Sequence, residues 1–535
     1  MDNKTNNNSY KNRPQEALPT VSKIKNQAQP AINTNKDEVI AQFDERIKST
    51  LDEGRKELID KRHKRGYRSA RENLIDLCDK DSFLEYGQLA VAAQRRRRDI
   101  EDLKVNTAAD GIITGLATIN AQLFDEQASR AVVIVNDYTV LAGTQGVFHH
   151  KKLDRALELA AELKLPVVMY AEGGGGRPGD TDYELSLNLG SFAAWAELRG
   201  QVPMIAINNG YCFAGNAALF GCADITIATK NSWIGMAGPA MIEGGGMGNF
   251  KPTDIGPIET QTKNGVIDIV AEDEADATRI ARQVLSYFQG STESWSCADQ
   301  RKLWPLLPAD RRFVYKVRDI ITTLADTDSF IELRRDYGCG IITGFVRIEG
   351  KPFGLICNDC QFLGGAIDAE AALKAARFLE LCNNFNLPLL SLCDTPGFMV
   401  GPESETEGAV RKMSDMFVAG SRLKSPMVAI FLRKGYGLGA IAMTGGSFSR
   451  PIYSASWPSG EFGAMGLEGA VHLGFKKELE AVKTEEEREV LFNKLLNAMY
   501  ERGKATEAAS YLEIDAVINP EDTRKVIIQA LGKNN

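Results

Sequence analysis

The chain has 535 residues, room for roughly two to four domains. Its 63 Lys and Arg against 71 Asp and Glu give a formal charge of −8, which argues against a nucleic-acid protein because phosphate binding needs a basic face. The composition, 44% hydrophobic and 25% charged, is globular; no run of about 18 apolar residues reads as a membrane span, and nine Cys, an odd number, read as thiols in a reducing, cytoplasmic setting.

Residues 1–36 are rich in Asn, Lys, Gln and Thr and read as a disordered tail. One Arg (Arg13) beside Asp2 and Glu16 disfavours a transit peptide. The remainder contains an internal repeat. Asp81-Ser82-Phe83-Leu84-Glu85 recurs as Asp328-Ser329-Phe330-Ile331-Glu332, and Gly111-Ile112-Ile113-Thr114-Gly115 recurs identically at 340–344. Asn136-Asp137 with Leu141-Ala142-Gly143 recurs as Asn358-Asp359 with Leu363-Gly364-Gly365. Leu165-Pro166 recurs as Leu387-Pro388, Pro203–Ile207 as Pro426–Ile430, and Gly210-Tyr211 as Gly435-Tyr436. Matches in one shared order indicate a duplication.

Each copy predicts the same elements in chain order. A strand (Arg130–Val135; Phe353–Cys357) leads through a Gly-containing turn to a helix (Lys152–Leu163; Ala369–Asn384). A short buried strand follows (Pro166–Tyr170; Pro388–Leu392), then a loop, a helix and another strand (Met204–Ile207; Met427–Leu432). A Gly-rich turn then opens a further helix. Strands alternating with helices indicate a mostly parallel α/β sheet in each half. The boundary is expected near Trp304–Ala309, giving residues 37–300 and 301–535.

The loop Glu172-Gly173-Gly174-Gly175-Gly176-Arg177 follows a buried strand, where a glycine run lets backbone N–H groups approach a ligand. A phosphate loop would need Lys where Asp180 stands. Gly437, Gly439 and Ala442 match a dinucleotide fingerprint, but the other copy, Gly210–Ala217, breaks it. Both copies keep a strand, a small-residue turn and a helix start, whose free N–H groups suit an oxyanion. Arg95–Arg98 reads as a solvated run or as a landing site for a polyphosphate ligand. Cys357 and Cys360 read as packing residues, since the other copy has Val135 and Tyr138 there. Four His (His63, His149, His150, His472) suggest neither a metal site nor a Ser/His/Asp set. Backbone oxyanion stabilisation is therefore expected, with a base supplied by a cofactor.

The order RENLIDLCDKDSFLE, DGIITG, the Gly loop, GYCFAGNAA, LRKGYGLGAIAM and SASWPSGEFGAMGLEGAV resembles the carboxyltransferase (beta) subunit of biotin-dependent acyl-CoA carboxylases, of the acetyl- and propionyl-CoA type. Related members are acyl-CoA decarboxylase alpha subunits, of the glutaconyl- and methylmalonyl-CoA type, and the large subunit of transcarboxylase. The resemblance implies two tandem crotonase-like spiral domains in a homohexameric core. The acyl-CoA would bind on the N-terminal side. Carboxybiotin, on a separate carrier protein or domain that works with a biotin carboxylase, would enter on the C-terminal side. The resemblance places oxyanion donors at Ala214 and Gly215 and at Leu438 and Gly439, flanked by Gly437. It places substrate contacts at Gly174, Gly175, Gly176 and Arg177, and puts Ile441 where many propionyl-type relatives have Asp. No four-Cys zinc ribbon and no Met-Lys-Met biotinylation motif occurs. The alternatives are a decarboxylase alpha subunit, a hydratase or dinucleotide oxidoreductase, and a CoA-binding scaffold.

Overall fold

A computed structural model of the chain describes residues 35–183 and 189–532. Of the tail expected over residues 1–36, residues 1–34 lie outside the described residues and Lys36 opens a helix, Lys36–Lys48, in a separate compact unit from Ser49–Asn535.

The larger unit contains two sheets. The first runs β1 (Leu84–Tyr86), β2 (Ile112–Thr118), β3 (Arg130–Asn136), β4 (Val167–Tyr170), β5 (Met204–Phe213), β6 (Ile225–Gly235), β7 (Ile269–Ala271), in that spatial order. The second contains β8 (Ile331–Leu333), β9 (Ile341–Ile348), β10 (Lys351–Asn358), β11 (Leu389–Thr395), β12 (Met427–Tyr436), β13 (Tyr453–Ser456), β14 (Glu461–Gly463) and β15 (Ala516–Val517), ordered β15-β13-β12-β11-β10-β9-β8 with β14 also on β12. The opening strands pair antiparallel and the later ones parallel. Along the main path of each sheet, neighbours follow chain order, so each half winds as a spiral. Neither has the strand-order reversal where dinucleotides bind.

The elements follow from their residues. β3 (RAVVIVN) is buried on both faces, as a central strand covered by helices must be. The Val147–Leu163 helix buries Leu153, Ala156, Leu157 and Ala160, one helical stripe, and stops at Lys164 in the left-handed conformation. Ala369–Asn384 is capped by Asp368, whose side chain accepts from the Ala371 amide at 2.8 Å. The first of these helices starts five residues before the sequence-based expectation. His149 and His150, ahead of the expected span, lie inside the helix, and both are buried, as is Lys152.

The duplication reappears in the backbone. Left-handed residues recur in pairs: Asp81 and Asp328 (φ 58 and 59), Leu141 and Leu363 (49 and 47), Lys164 and Asn386 (51 and 52). Isolated bridges recur as Gln145–Gly176 with Ile367–Phe398. Gly173 pairs with Cys212 where Thr395 pairs with Gly435. This last register corrects the sequence match of Gly210-Tyr211 with Gly435-Tyr436: Gly435 is equivalent to Cys212, and Gly437 to Ala214. Buried lysines recur too. Lys152 donates to the carbonyls of Ala109 (3.0 Å) and Ile112, and Lys374 to that of Arg334 (2.8 Å); burial pushes both ammonium groups down to about 8.

The two halves share core. One hydrophobic cluster contains Tyr170 and Val284 as well as Phe378 and Leu389. Tyr287 stacks on Phe345 (5.2 Å) and Phe288 meets Phe385 edge-on (5.2 Å). All nine Cys are free; Cys357 and Cys360 are buried, which agrees with packing thiols. Among the described residues no helix is long and apolar enough to cross a membrane.

A Cβ on Gly344 would run into the Ile331 carbonyl, as one on Gly115 would into Leu84. Gly344→Ala should therefore cost about 1–3 kcal/mol, whereas Gly469→Ala, in open space within a helix, should be neutral or stabilising; thermal unfolding compares them. His149 is fully buried, and neither ring nitrogen has a partner among the described residues. Burial holds its pKa well below 6.5. Its contribution is therefore intact above the unfolded value of about 6.5 and is lost as pH falls, by up to about 1.4 kcal/mol per pH unit. His149→Phe should flatten the fall in unfolding midpoint between pH 7.5 and 5.5.

Candidate functional site

At the carboxyl end of β4 the chain enters Glu172–Arg177, and at the end of β5 it turns through Ala214 into the Gly215–Cys222 helix. These two segments meet. Gly173 N–H donates to the Tyr211 carbonyl (2.8 Å), and Phe213 N–H donates to that of Gly173 (2.9 Å). Gly175 N–H donates to Asn216 Oδ1 (3.0 Å), while Asn216 Nδ2 donates to the Ala171 carbonyl (3.1 Å). Gly175 has φ +89, and a Cβ there would lie 2.7 Å from Ala214 Cβ. Only glycine permits both that conformation and that approach.

Most amides here are committed. Gly174 donates to Ala142 (3.0 Å), Arg177 to Gln145 (2.8 Å), and Ala214 to Gly235 on β6 (3.0 Å). Among the described residues, the Gly176 and Gly215 amides are recorded with no acceptor. Gly215 opens its helix, where no intrahelical acceptor exists. Ala214 sits at φ 50, ψ −120, a strained conformation for an L residue that holds the turn in place.

Arg177 is placed differently from a ligand contact. Its side chain is buried, paired with Asp110 and bonded to the Thr144 carbonyl (2.7 Å). It braces the loop from behind. The Arg95, Arg96 and Arg97 side chains are exposed, while Arg98 pairs with Asp102 (2.5 Å).

The second half repeats the arrangement. β11 leads into Pro396-Gly397-Phe398, and β12 turns through Gly437 (φ +56) into the Gly437–Met443 helix. Gly397 N–H donates to Thr395 Oγ1 (3.1 Å), and Met399 N–H to the Ile367 carbonyl (2.8 Å). A Cβ on Gly439 would lie 2.7 Å from Gly397 Cα, so Gly439 serves close helix–loop contact. By the bridge register, Gly176 and Gly215 correspond to Phe398 and Leu438. Neither of those amides is recorded with an acceptor among the described residues. Phe398 was hidden from sequence reasoning by its apolar side chain, because only its backbone matters. Ile441 lines a cleft of about 530 Å³ with Gly437, Phe448, Phe462 and Tyr511.

A buried carboxylate precedes each loop. Glu172 pairs with Arg62 (2.6 Å); burial pushes its carboxyl up to about 7 while the guanidinium pulls it down. Asp394 pairs with Arg433 (3.0 Å) and accepts from the Tyr315 hydroxyl (2.7 Å). Beside Glu172 lies a cleft of about 680 Å³ with Lys61, Arg62 and Arg65 among its walls and Tyr138 and Tyr211 facing them. Among the described residues no group of three or more His, Cys, Asp or Glu side chains is placed to hold a metal ion.

The model of the carboxyl transferase domain matches residues 61–533. The methylmalonyl-CoA carboxyltransferase 12S subunit of Propionibacterium freudenreichii subsp. shermanii is 31% identical over 487 residues, covering 88% of this chain and 90% of that subunit. The solved structure of a single-chain, multi-domain long-chain acyl-CoA carboxylase is 53% identical with a TM-score of 0.88; the match covers 94% of this chain and 49% of that one, so this chain spans about half its length. The transcarboxylase 12S hexamer structure, with methylmalonyl-coenzyme A and methylmalonic acid bound, is 28% identical with a TM-score of 0.81, covering 94% of this chain and 96% of that one. With the family match spanning nearly all of both spiral halves, this chain belongs to the carboxyl transferase domain family.

Proposed function

We propose that this chain is the carboxyltransferase component that moves a carboxyl group from carboxybiotin to the α carbon of an acyl-CoA. The observation that carries the reading is the duplicated pairing of loop and turn, each leaving two amides without an acceptor among the described residues at the carboxyl end of its sheet. Two oxyanions arise in such a transfer, one on the thioester enolate and one on the ureido oxygen of biotin. Fixed backbone donors stabilise such charge without a side-chain base.

Gly176 and Gly215 hold the thioester oxygen in this reading, with Gly174 and Gly175 shaping the approach and Ala214 fixing the turn. The 680 Å³ cleft beside Glu172 receives the coenzyme A portion, and its Lys and Arg rim suits phosphates. Residues 37–300 form this acyl-CoA side and residues 301–535 the carboxybiotin side. Phe398 and Leu438 hold the ureido oxygen. Gly437 and Gly439 allow the close approach, and Ile441 forms an apolar wall of the 530 Å³ cleft, which fits a fused, uncharged ring system. Carboxybiotin, when bound, would supply CO2 by cleavage of its N–carboxyl bond and, as the ureido anion left behind, the base for the α-proton, so that the enolate carbon could bond CO2. The partners are a biotin carboxylase and a biotin carboxyl carrier, the assembly is a homohexamer, and the setting is cytoplasmic. The resemblance to the long-chain enzyme supports an acyl chain longer than propionyl. The decarboxylase reading gains no better support from the relatives.

The direct test is transfer of labelled carboxylate from a carboxylated carrier protein to acetyl-, propionyl- and longer acyl-CoAs; transfer to none of them would sink the reading. A second expectation separates backbone from side chain. Leu438→Pro removes an N–H at a first-turn position where Pro is tolerated, and the Leu438 side chain is exposed. Turnover should fall roughly a hundredfold or more, while Leu438→Ala, which keeps the N–H, should stay within a few-fold of the parent. Equal turnover in the two variants would remove the Leu438 amide from the site.

A further inference from the structure

The segment that leaves β6, Met236–Phe250, buries none of its residues. Met236, Met241, Met247 and Phe250 are 73, 69, 67 and 46% exposed. Several large apolar side chains exposed on one short stretch form a patch, unlike singly scattered surface residues. The repeat sharpens the contrast. Phe213 pairs with Gly235 in the first half as Tyr436 pairs with Gly463 in the second. After Gly463 the chain enters a helix, Leu467–Gly474, that buries Leu467 and Val471. The second copy's segment also exposes Met465 and Leu473 but is anchored by two buried residues, whereas the first copy's segment buries none.

The segment is anchored at the turn assigned to the thioester. The Gly235 carbonyl accepts the Ala214 N–H at 3.0 Å, next to the free Gly215 amide. A Cβ on Gly238 would lie 3.3 Å from the Phe213 ring, and one on Gly235 would lie 2.7 Å from Ile255. The start of the segment therefore rests on β5, the strand that carries the turn. Further along, Gly244 and Gly246 have no atom within 4 Å of a Cβ position, and Gly246 and Gly248 are left-handed (φ +71 and +111). Unbranched thioethers on a glycine-hinged backbone form a surface that remoulds around an apolar partner of variable length.

We propose that Met236–Phe250 is the seat of the substrate's acyl tail and selects long, unbranched, apolar chains. The inference rests on the acyl-CoA reading above. A thioester oxygen held at Gly176 and Gly215 places the first carbons of its chain beside Gly235. Each further methylene laid against the methionines is worth roughly a fourfold gain in binding, a gain that a propionyl group is too short to collect.

The test uses the full chain with its carboxylated carrier and compares kcat/KM for palmitoyl-CoA, dodecanoyl-CoA and propionyl-CoA. In M241S/M247S the palmitoyl-to-propionyl ratio should fall tenfold or more, with a rise in KM for palmitoyl-CoA, and the hexamer should persist in analytical ultracentrifugation. A ratio within twofold of the parent overturns the proposal. So does a variant that dissociates and loses all three activities alike, because the segment is then a contact between copies. Parent enzyme that carboxylates propionyl-CoA but neither longer thioester overturns this inference alone; parent enzyme that carboxylates nothing overturns the functional reading beneath it.

Discussion

Everything at the site depends on how closely the Gly173–Gly176 loop approaches the turn at Ala214. Asn216 ties the two together, accepting from Gly175 and donating to Ala171. A side chain at Gly175 would meet Ala214, and Ala214 itself is held in a strained conformation costing about 1–3 kcal/mol. That strain persists because its own amide is fixed to Gly235, its carbonyl accepts from Ala218, and the preceding Phe213 amide is fixed to Gly173. The result is a braced frame in which the Gly176 and Gly215 amides have no acceptor among the described residues. Preorganised donors of this kind do not reorient when charge develops, which is where their catalytic value lies.

The second copy reaches the same frame by other residues. Gly437 takes the left-handed position that Ala214 occupies under strain, and Phe398 stands where Gly176 does. The backbone has been preserved while side chains diverged. This is expected if the working groups are main-chain N–H donors, which every residue but proline possesses. It also leaves the side chains around each turn free to diverge between the copies, as Ile441 and its counterpart Ala218 do.

Much of the architecture was legible because the duplication could be read directly. DSFLE, GIITG and the Asn-Asp and Leu-Pro pairs locate both copies, and the apolar runs at Arg130–Asn136 and Met427–Leu432 locate central strands. The short antiparallel strands β1 and β8 were not legible, since three residues carry no periodicity. The extension of β5 to Phe213 was masked by Asn208 and Asn209, polar residues that a bulge accommodates inside the sheet. The Gly loop and both turns were found in sequence, but not which amides are free. That depends on acceptors distant along the chain, such as Gly235 for Ala214. Arg177 was placed as a substrate contact by the resemblance alone; its partner, Asp110, lies 67 positions earlier, beyond the reach of local sequence patterns.

The aromatic seam of Tyr287, Phe288, Phe345 and Phe385 has a consequence for modularity. Duplicated halves are often thought of as separable parts that can be excised, expressed alone or exchanged between proteins. Here a cut near residue 300 would part Tyr287 and Phe288 from Phe345 and Phe385, and expose a face of shared core to water. The copies are thus welded into one indivisible body within Ser49–Asn535. Any swapping of specificity between relatives has to proceed by grafting surface segments, not by trading halves.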